Sequence, residues 1–437
     1  MQSLERVTRF VDKGLSLPRN GLSHMKLNPP AKGLIPVLLI AVAVLSLANS
    51  WVGWEREPTY DAEFYLSFAE NLANGNGYIN SNSFWPQSPT MDRPPGWPIL
   101  QSFGLRLLPN VSPPIVMRIL SLVCSLVVVL FVFLITLDLS GRSSVAFLAS
   151  MLYLFNPLPL FLEVNGLSEI PFLALWLVGV RFFLRNPFCT LSGLVFGCAM
   201  LVRPSFLFFG VFLFCFWFLK KRDFQRSHLS RVAIFFTLFF LPIFAWTLRN
   251  FNVSGHFPVL STLSGETLFG GNNVRTATEF QNLGAWIFPN EIEGTISKKE
   301  LALRGTEIQM NKYYTEKAVE FLTSHPLWIP HLVLAKLAKG FGSFPFDGRL
   351  SDVIVALLKL VIYSAAIMAL RSGSWPLNLL VQIKSMALAC FVVVVVYWGS
   401  TRFVLPLDVL LLPLAAPKLM TLMESLKRRF CLRSSLS

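Results

Sequence analysis

The residues best suited to chemistry are concentrated in one polar stretch, Tyr60–Pro98, which lies between two long apolar runs. The stretch contains four of the 24 acidic residues of the 437-residue chain, and an arginine directly after the last of them: Asp61, Glu63, Glu70, Asp92 and Arg93. A carboxylate held in a rigid loop can accept a proton from a reacting hydroxyl, and a guanidinium can bind a phosphate. We therefore expect a candidate site here, at the ends of the neighbouring apolar helices.

Asp61 follows Pro58 and precedes Tyr65 by four residues. On a helix that begins here, the side chains of Asp61 and Tyr65 lie on the same face. A carboxylate in the first turn can also stabilise the helix by accepting hydrogen bonds from free amides and by interacting with the helix dipole. The two roles are compatible, because a capping carboxylate is rigid and ionised, as a general base should be. Both interpretations of Asp61, helix cap and general base, are open at this point.

Asp92 and Arg93 form the second candidate pair, followed directly by the segment Pro94–Pro98, which contains three prolines and one glycine. Prolines restrict the backbone, so the arginine would be held in place at a low entropic cost. Its planar guanidinium offers two parallel donors to a phosphate. The alternative is a structured loop with a surface ion pair.

Charged residues also lie at the ends of the apolar runs. Glu163 and Glu169 flank one short connection, and an acid at the membrane boundary must be solvated, paired or functional. Four arginines occupy similar boundary positions: Arg118, Arg203, Arg249 and Arg402. They could pair with these two glutamates, or they could hold an anionic lipid headgroup.

The composition is that of a polytopic membrane protein. Hydrophobic residues make up 54% of the chain and charged residues 14%, and the mean hydropathy is +0.57; a soluble protein has about 25% charged residues. The net charge of +14 does not indicate nucleic-acid binding, because Lys and Arg cluster at the ends of apolar runs, as the positive-inside rule expects. The six cysteines show no C-x-x-C spacing, and we predict neither a disulfide nor a zinc site.

Runs of about 20 apolar residues can cross the membrane. The sequence predicts an all-α protein with about ten transmembrane helices and short amphipathic interfacial helices in the first and fourth outer loops. The predicted spans are Leu34–Trp51, Pro114–Leu137, Ser144–Leu162, Ser168–Leu184, Thr190–Val202, Phe206–Leu219, Val232–Leu248, Val353–Leu370, Met386–Trp398 and Phe403–Leu419.

The distribution of Lys and Arg predicts the orientation of these spans. Residues 1–33 and 426–437 are expected to be basic cytoplasmic tails of a transmembrane domain over 34–425. The loops 52–113 and 249–352 are then outside and form the side that carries the site. The segment Pro326–Phe346 is interpreted as an interfacial helix, since a further span there would place the basic C-terminus outside.

An ordered set of short motifs gives the chain a resemblance to a known family. The motifs are Asp61-x-x-x-Tyr65, Arg93-Pro94-Pro95-Gly96-Trp97-Pro98, Asn165-Gly166-Leu167-Ser168-Glu169, Leu201-Val202-Arg203-Pro204, Arg249-Asn250 with Gly265, and Arg402-Phe403-x-x-Pro406. In this order they resemble the GT-C superfamily of integral membrane glycosyltransferases, in the branch that contains protein O-mannosyltransferases and the aminoarabinose transferases of lipid A.

The resemblance implies a polyprenyl-phosphate sugar as donor and an acidic residue of the first outer loop as base for the acceptor hydroxyl. Asp61 matches that base, and Asp92-Arg93 matches a motif whose basic residue meets the donor phosphate. Many relatives have two adjacent acids where this chain has Asp61-Ala62-Glu63.

The sequence thus predicts a membrane glycosyltransferase that acts on a lipid, glycan or protein acceptor at the outer or lumenal face. The membrane would be the plasma (inner) membrane, or that of the endoplasmic reticulum in a eukaryote. No nucleic-acid partner is expected, and a divalent metal ion at Asp61 and Asp92 is left open. The predicted catalytic residues are Asp61, Glu63 and Glu169, and the predicted donor-binding residues are Tyr65, Asp92, Arg93, Arg203, Arg249 and Arg402.

Two other functions compete with this one. A transporter or flippase of lipid-linked sugars could use the same boundary arginines. Such proteins are typically built from internal repeats with broken helices, whereas the sequence shows no repeat. A non-catalytic scaffold subunit of a glycan assembly complex is the third hypothesis, and an activity assay would separate it from the first.

Overall fold

The computed structural model describes residues 33–59, 61–79, 81, 89–220, 226–342, 350–373 and 375–434. The predicted N-terminal tail lies outside the described residues except for Gly33. Parts of the first outer loop, the end of the predicted interfacial segment 326–346 and the last three residues of the C-terminal tail also lie outside them.

The described residues form helices, labelled here α1 to α18 in chain order, and one isolated antiparallel bridge between Ile79 and Pro89. The helices are α1 Leu34–Val52, α2 Asp61–Ala73, α3 Gly96–Leu107, α4 Pro113–Ser140, α5 Ser143–Leu154, α6 Pro157–Val164, α7 Glu169–Arg185, α8 Thr190–Val202, α9 Phe208–Lys220, α10 Arg226–Ser254, α11 Ser264–Gly271, α12 Val274–Thr278, α13 Lys298–Arg304, α14 Glu307–Ser324, α15 Ile329–Phe341, α16 Leu350–Ser372, α17 Leu377–Val396 and α18 Thr401–Ser434.

Six of these helices are long and apolar enough to cross a membrane within the described part of the chain: α1, α4, α10, α16, α17 and α18. The pair α5 and α6 makes a seventh span if its two bent halves are taken together. The predicted fourth span is α7, and the fifth and sixth are the shorter apolar helices around α8 and α9. The prediction of an all-α polytopic protein with about ten spans is therefore confirmed.

Several predicted spans have different bounds in the structure, and the third and the ninth show why. The third is bent by 59° between α5 and α6, because Pro157 cannot continue the helix and Asn156 caps α6 by accepting a hydrogen bond from Leu158 N. The ninth begins at Leu377 rather than Met386. Its first turns contain Gln382, which is fully buried, and whose amide donates to Asn378 O of the same helix at 3.4 Å.

The connections predicted to share a side of the membrane lie at the same end of the helix bundle. Trp97 Nε1 donates to Gly166 O at 2.9 Å, which joins the first outer loop to the α6–α7 turn. Arg249 at the end of α10 donates to Thr90 O at 2.7 Å. At the opposite end, Asp138 pairs with Arg181 at 3.0 Å. The orientation of this bundle in a membrane stays a prediction.

Small residues allow the loops to approach the bundle closely. A Cβ atom at Gly96, the first residue of α3, would lie 2.7 Å from Val202 Cγ2 and 2.9 Å from the Leu201 carbonyl carbon. The glycine of the Arg93–Pro98 motif therefore lets the start of α3 contact the end of α8. This contact brings Arg93 and Arg203, from two different motifs, to the same region.

The long loop after α10 has a small core of its own, which packs α11 against α14. Its buried residues are Phe269, Ile287, Ile292, Met310, Tyr314 and Ala318. A second stabilising feature lies inside the bundle, where Lys359 of α16 pairs with Asp408 of α18 at 3.1 Å, and Tyr363 donates to the same carboxylate at 2.6 Å. A charge in the membrane interior requires such a partner, so this pair fixes α18 against α16.

Candidate active site

Asp61 is the first residue of α2, and its side chain is 38% exposed. One carboxylate oxygen lies 3.3 Å from Arg93 Nη2, and the other lies 3.6 Å from Arg402 Nη2. The carboxylate is therefore an acceptor that is open to solvent on one side and positioned by arginines on the other.

Arg93 is buried beneath this carboxylate, with 6% of its surface exposed. Its guanidinium lies over the ring of Phe64, and Asp92 Oδ1 is 3.8 Å from Nη1. Burial lowers the pKa of Arg93, but the carboxylates of Asp92 and Asp61 more than offset it, and the net shift is upward. Its Nε and Nη1 atoms have no hydrogen-bond acceptor within the described residues. These buried donors are suited to bind an anion.

The backbone that carries Arg93 is held from below by Tyr78. The Tyr78 hydroxyl is shared between the carbonyl oxygens of Arg93 and Pro94, at 3.1 Å from each. Its ring stacks on Phe68 of α2 with a centroid distance of 4.4 Å. Burial raises the pKa of Tyr78 well above its usual value, so the hydroxyl stays a donor.

Glu169 begins α7 and is almost completely buried, with 2% exposed. Its Oε1 atom is 2.8 Å from Arg203 Nη1 and also accepts a hydrogen bond from Arg402 Nε. The hydroxyl of Ser168 accepts a hydrogen bond from Arg203 at 3.2 Å and from Tyr65 at 3.4 Å. Burial and the charge of Asp61 raise the pKa of Tyr65, which preserves the hydroxyl as a donor.

These contacts form one chain of alternating charges, defined by Asp92, Arg93, Asp61, Arg402, Glu169 and Arg203 in this spatial order. The members come from the loop 52–113, α2, α18, α7 and the turn after α8. Each internal member touches two opposite charges, so the side chains orient one another. The three acids and three arginines balance. Arg93 and Arg203 both have buried donors without a hydrogen-bond acceptor within the described residues, and of these two arginines it is Arg93 that lies beside an exposed carboxylate.

The structure brings seven of the nine predicted site residues together. Tyr65 joins the chain of charges through Ser168. Arg249 lies one step away, since it donates to Thr90 O and its guanidinium contacts the rings of Tyr78 and Trp246, with centroid distances of 5.4 and 4.8 Å. Glu63 is an exposed residue of α2.

The two other boundary residues belong to a separate cluster. Glu163 is fully buried and accepts hydrogen bonds from Asn49 at 3.0 and 3.1 Å. Arg118 donates to Trp54 O at 2.8 Å. Their contacts join α6 to α1 and α4 to the segment that follows α1. Of the two boundary glutamates, Glu169 belongs to the chain of charges and Glu163 does not.

Sequence reasoning missed Tyr78 and Glu307. Glu307 binds the backbone two residues before Arg93, through Met91 N at 2.8 Å. A signal for the start of its helix is present in the sequence, because Thr306 and Gln309 have the spacing of a capping box, and the structure shows both of its hydrogen bonds. Nothing local indicates what the glutamate contacts.

The acids of the site do not fit a divalent metal ion. Within the described residues, no group of three or more His, Cys, Asp or Glu side chains is arranged to hold one. Asp61 and Asp92 both pair with Arg93. The guanidinium therefore occupies the position between the two carboxylates that a shared metal ion would need.

The fold and the site together define a polytopic membrane protein with a network of ion pairs at one end of the helix bundle. The family described as dolichyl-phosphate-mannose-protein mannosyltransferase matches residues 92–246. This match confirms the resemblance to the GT-C superfamily of membrane glycosyltransferases. The matched range includes Asp92, Arg93, Glu169 and Arg203, whereas Asp61 and Arg402 lie outside it.

Other comparisons are more distant. No curated protein matches the chain. Among solved structures, the chain is similar to ArnT from Cupriavidus metallidurans, whose crystal structure was determined bound to undecaprenyl phosphate. The two are 12% identical, the TM-score is 0.43, and the alignment covers 89% of this chain and 78% of that one.

Proposed function

We propose that this protein transfers a sugar from a polyprenyl-phosphate donor to an acceptor hydroxyl at the outer or lumenal face of a membrane, with Asp61 as general base. The observation that carries the proposal is the position of Asp61. Its carboxylate is 38% exposed and lies 3.3 Å from Arg93, whose buried Nε and Nη1 donors have no acceptor within the described residues. A base and an anion-binding group are thus side by side.

The transfer would be a single displacement. The acceptor hydroxyl gives its proton to Asp61, and its oxygen forms a bond to the anomeric carbon of the sugar. The bond between that carbon and the phosphate oxygen breaks, and its electron pair stays on the polyprenyl phosphate. Inversion at the anomeric carbon follows from one such displacement. Arg93 stabilises the charge on the leaving phosphate, and a buried guanidinium does so more strongly than an exposed one.

The remaining arginines and Glu169 would position these two groups. Glu169 is 2% exposed and is bound by both Arg203 and Arg402, which leaves it less suited than Asp61 to accept a proton from an incoming hydroxyl. In our proposal Glu169 orients Arg402, and Arg402 orients Asp61. Arg402 also adds positive charge close to the phosphate.

The family match supports this assignment. The matched family is described by a dolichyl-phosphate-mannose donor, which is a sugar joined to a polyprenyl lipid through phosphate. The reactive bond of such a lipid lies at headgroup height. This is where the loops 52–113 and 249–352 would lie in the predicted orientation.

The experiment uses the purified protein in vesicles that contain a native lipid and glycan extract as acceptor. Polyprenyl-phosphate mannose, labelled in the sugar, is the probe donor, and a second donor with labelled aminoarabinose is tested in parallel. Transfer predicts labelled acceptor together with an equal amount of released polyprenyl phosphate. A flippase would move intact donor between leaflets without cleaving it. That outcome, or no cleavage of either donor, would refute the proposed function for these sugars.

A further inference from the structure

The two residues before the Asp92-Arg93 pair are held by an unusually complete set of hydrogen bonds. Thr90 N donates to Tyr78 O at 3.1 Å, and Thr90 O accepts from Arg249 at 2.7 Å. Met91 N donates to Glu307 Oε2 at 2.8 Å, and Met91 O accepts from Thr262 N at 2.9 Å. All four backbone polar groups of this dipeptide are therefore paired, although it belongs to no helix.

Glu307 is the one carboxylate among these partners. Besides Met91 N, it accepts hydrogen bonds from the Thr90 hydroxyl and from the Thr262 hydroxyl, the latter at 3.4 Å. Thr90 Oγ1 in turn accepts from Asp92 N at 3.0 Å. Glu307 thus reaches the backbone of Met91 directly and that of Asp92 through one hydroxyl.

Glu307 is itself rigidly placed. It is the first residue of α14, where Thr306 caps the helix and Gln309 completes the capping box. Only 8% of its surface is exposed. Helix α14 packs on α11 through Tyr314, which is fully buried. A buried carboxylate on a capped and packed helix is a fixed acceptor.

We infer that Glu307 is a positioning residue, which fixes the Asp92-Arg93 turn against Asp61 from the loop 249–352. Arg93 follows Met91 by two residues, so a shift of the Met91 backbone moves the guanidinium relative to the carboxylate 3.3 Å away. The inference rests on the proposed function where the effect of moving Arg93 is measured as a change in donor binding. Its structural part, that the carboxylate holds this turn, can be tested without any activity.

The structural test is amide hydrogen exchange of the full-length protein in detergent–lipid micelles. In Glu307→Ala, the peptide that contains the amides of Met91 and Asp92 should exchange at least about tenfold faster. The Met91 amide loses its acceptor, and the Thr90 hydroxyl that accepts from the Asp92 amide loses the carboxylate that holds it. The matched control is Glu316→Ala, an exposed acid of the same helix. Glu316→Ala should leave the exchange rate of this peptide unchanged. Equal exchange in Glu307→Ala and the wild type would overturn the inference whatever the protein's activity.

The functional test separates positioning from general destabilisation. In Glu307→Ala, KM for polyprenyl-phosphate mannose should rise about tenfold while kcat falls by less, since one charged hydrogen bond corresponds to roughly this factor. Glu307→Gln keeps one side-chain acceptor oxygen and should recover much of the affinity. A uniform loss of activity with unchanged KM would indicate only less folded protein and would contradict positioning.

The same experiments distinguish failure of the inference from failure of the proposed function. If the wild type neither binds polyprenyl phosphate nor transfers sugar, the proposed function fails, and the exchange data still decide whether Glu307 holds the turn. If the wild type binds polyprenyl phosphate and Glu307→Ala binds it equally well, the positioning role fails and the proposed function stands.

Discussion

Replacement of Asp61 by asparagine is the most informative perturbation of the site. Asparagine has the same size and can still accept a hydrogen bond, but it cannot take a proton at neutral pH. General-base assistance contributes about 10²–10⁴-fold to a rate. Asp61→Asn should therefore lose transfer by at least about a hundredfold, which corresponds to roughly 2.7 kcal/mol in the activation barrier.

The structure predicts a small effect of this change on stability. Asp61 is 38% exposed, and its two ion pairs measure 3.3 and 3.6 Å. Ion pairs that are open to solvent contribute about 0–1 kcal/mol each. Arg93 keeps Asp92 as a partner and Arg402 keeps Glu169, so neither guanidinium is left buried without a carboxylate.

In contrast to the transfer rate, the affinity for the donor should not fall in Asp61→Asn. Removal of one negative charge leaves Arg93 less neutralised, so the affinity for polyprenyl phosphate should stay the same or increase. The assay compares kcat with labelled polyprenyl-phosphate mannose, the affinity for polyprenyl phosphate and the thermal unfolding temperature. Glu70→Gln, which changes another acid of α2, is the matched control and should behave as the wild type.

Two results would refute this reasoning. Turnover close to the wild-type value in Asp61→Asn would exclude a general base at this position. A loss of transfer that is matched by an equal loss of donor affinity would show that Asp61 binds the donor or holds the site together, and does not accept the proton.

Three further predictions test other parts of the structure. Arg93→Ala should weaken binding of polyprenyl phosphate by about ten- to a hundredfold, the value of a charged hydrogen bond of roughly 1.5–3 kcal/mol, with partial retention in Arg93→Lys; unchanged affinity in Arg93→Ala, measured by competition, would move the role to another arginine. Burial lowers the pKa of Lys336 from its usual 10.5 to about 7, so between these values the unfolded chain binds a proton that the folded protein does not, and the contribution of this residue to stability rises with pH. The stability of the wild type relative to Lys336→Met should therefore rise as the pH rises from about 7, and a difference between their thermal unfolding temperatures that is constant with pH would contradict this. In a variant without the native cysteines, Gln281→Cys should react with a membrane-impermeant thiol reagent added outside intact cells, and Ser425→Cys, near the opposite end of the bundle, should react only after permeabilisation; the reverse pattern would invert the orientation.

The sequence by itself determined the class of fold. A membrane interior accepts only segments that satisfy their own backbone hydrogen bonds and expose apolar side chains. Such segments are recognisable in the sequence as runs of about 20 apolar residues. The break at Arg203-Pro204 was predictable for a similar reason, because proline lacks the backbone N–H of the helical hydrogen bond and disfavours the helical conformation of the residue before it. The start of α17 was misjudged, since Gln382 is polar by type but is buried and bonded within its own helix.

The sequence also singled out most of the charged residues of the candidate site, because boundary arginines and acids in an apolar chain are few. Their pairing was decided by the tertiary structure alone. Arg402 binds Glu169 across 233 residues of sequence, and Glu307 reaches Met91 across 216. An ion pair between side chains so far apart has no local signature, since it depends on which helix ends the packing brings together. The proposed division of roles, with Asp61 exposed between Arg93 and Arg402 and Glu169 buried between Arg402 and Arg203, therefore follows from the folded arrangement of the chain.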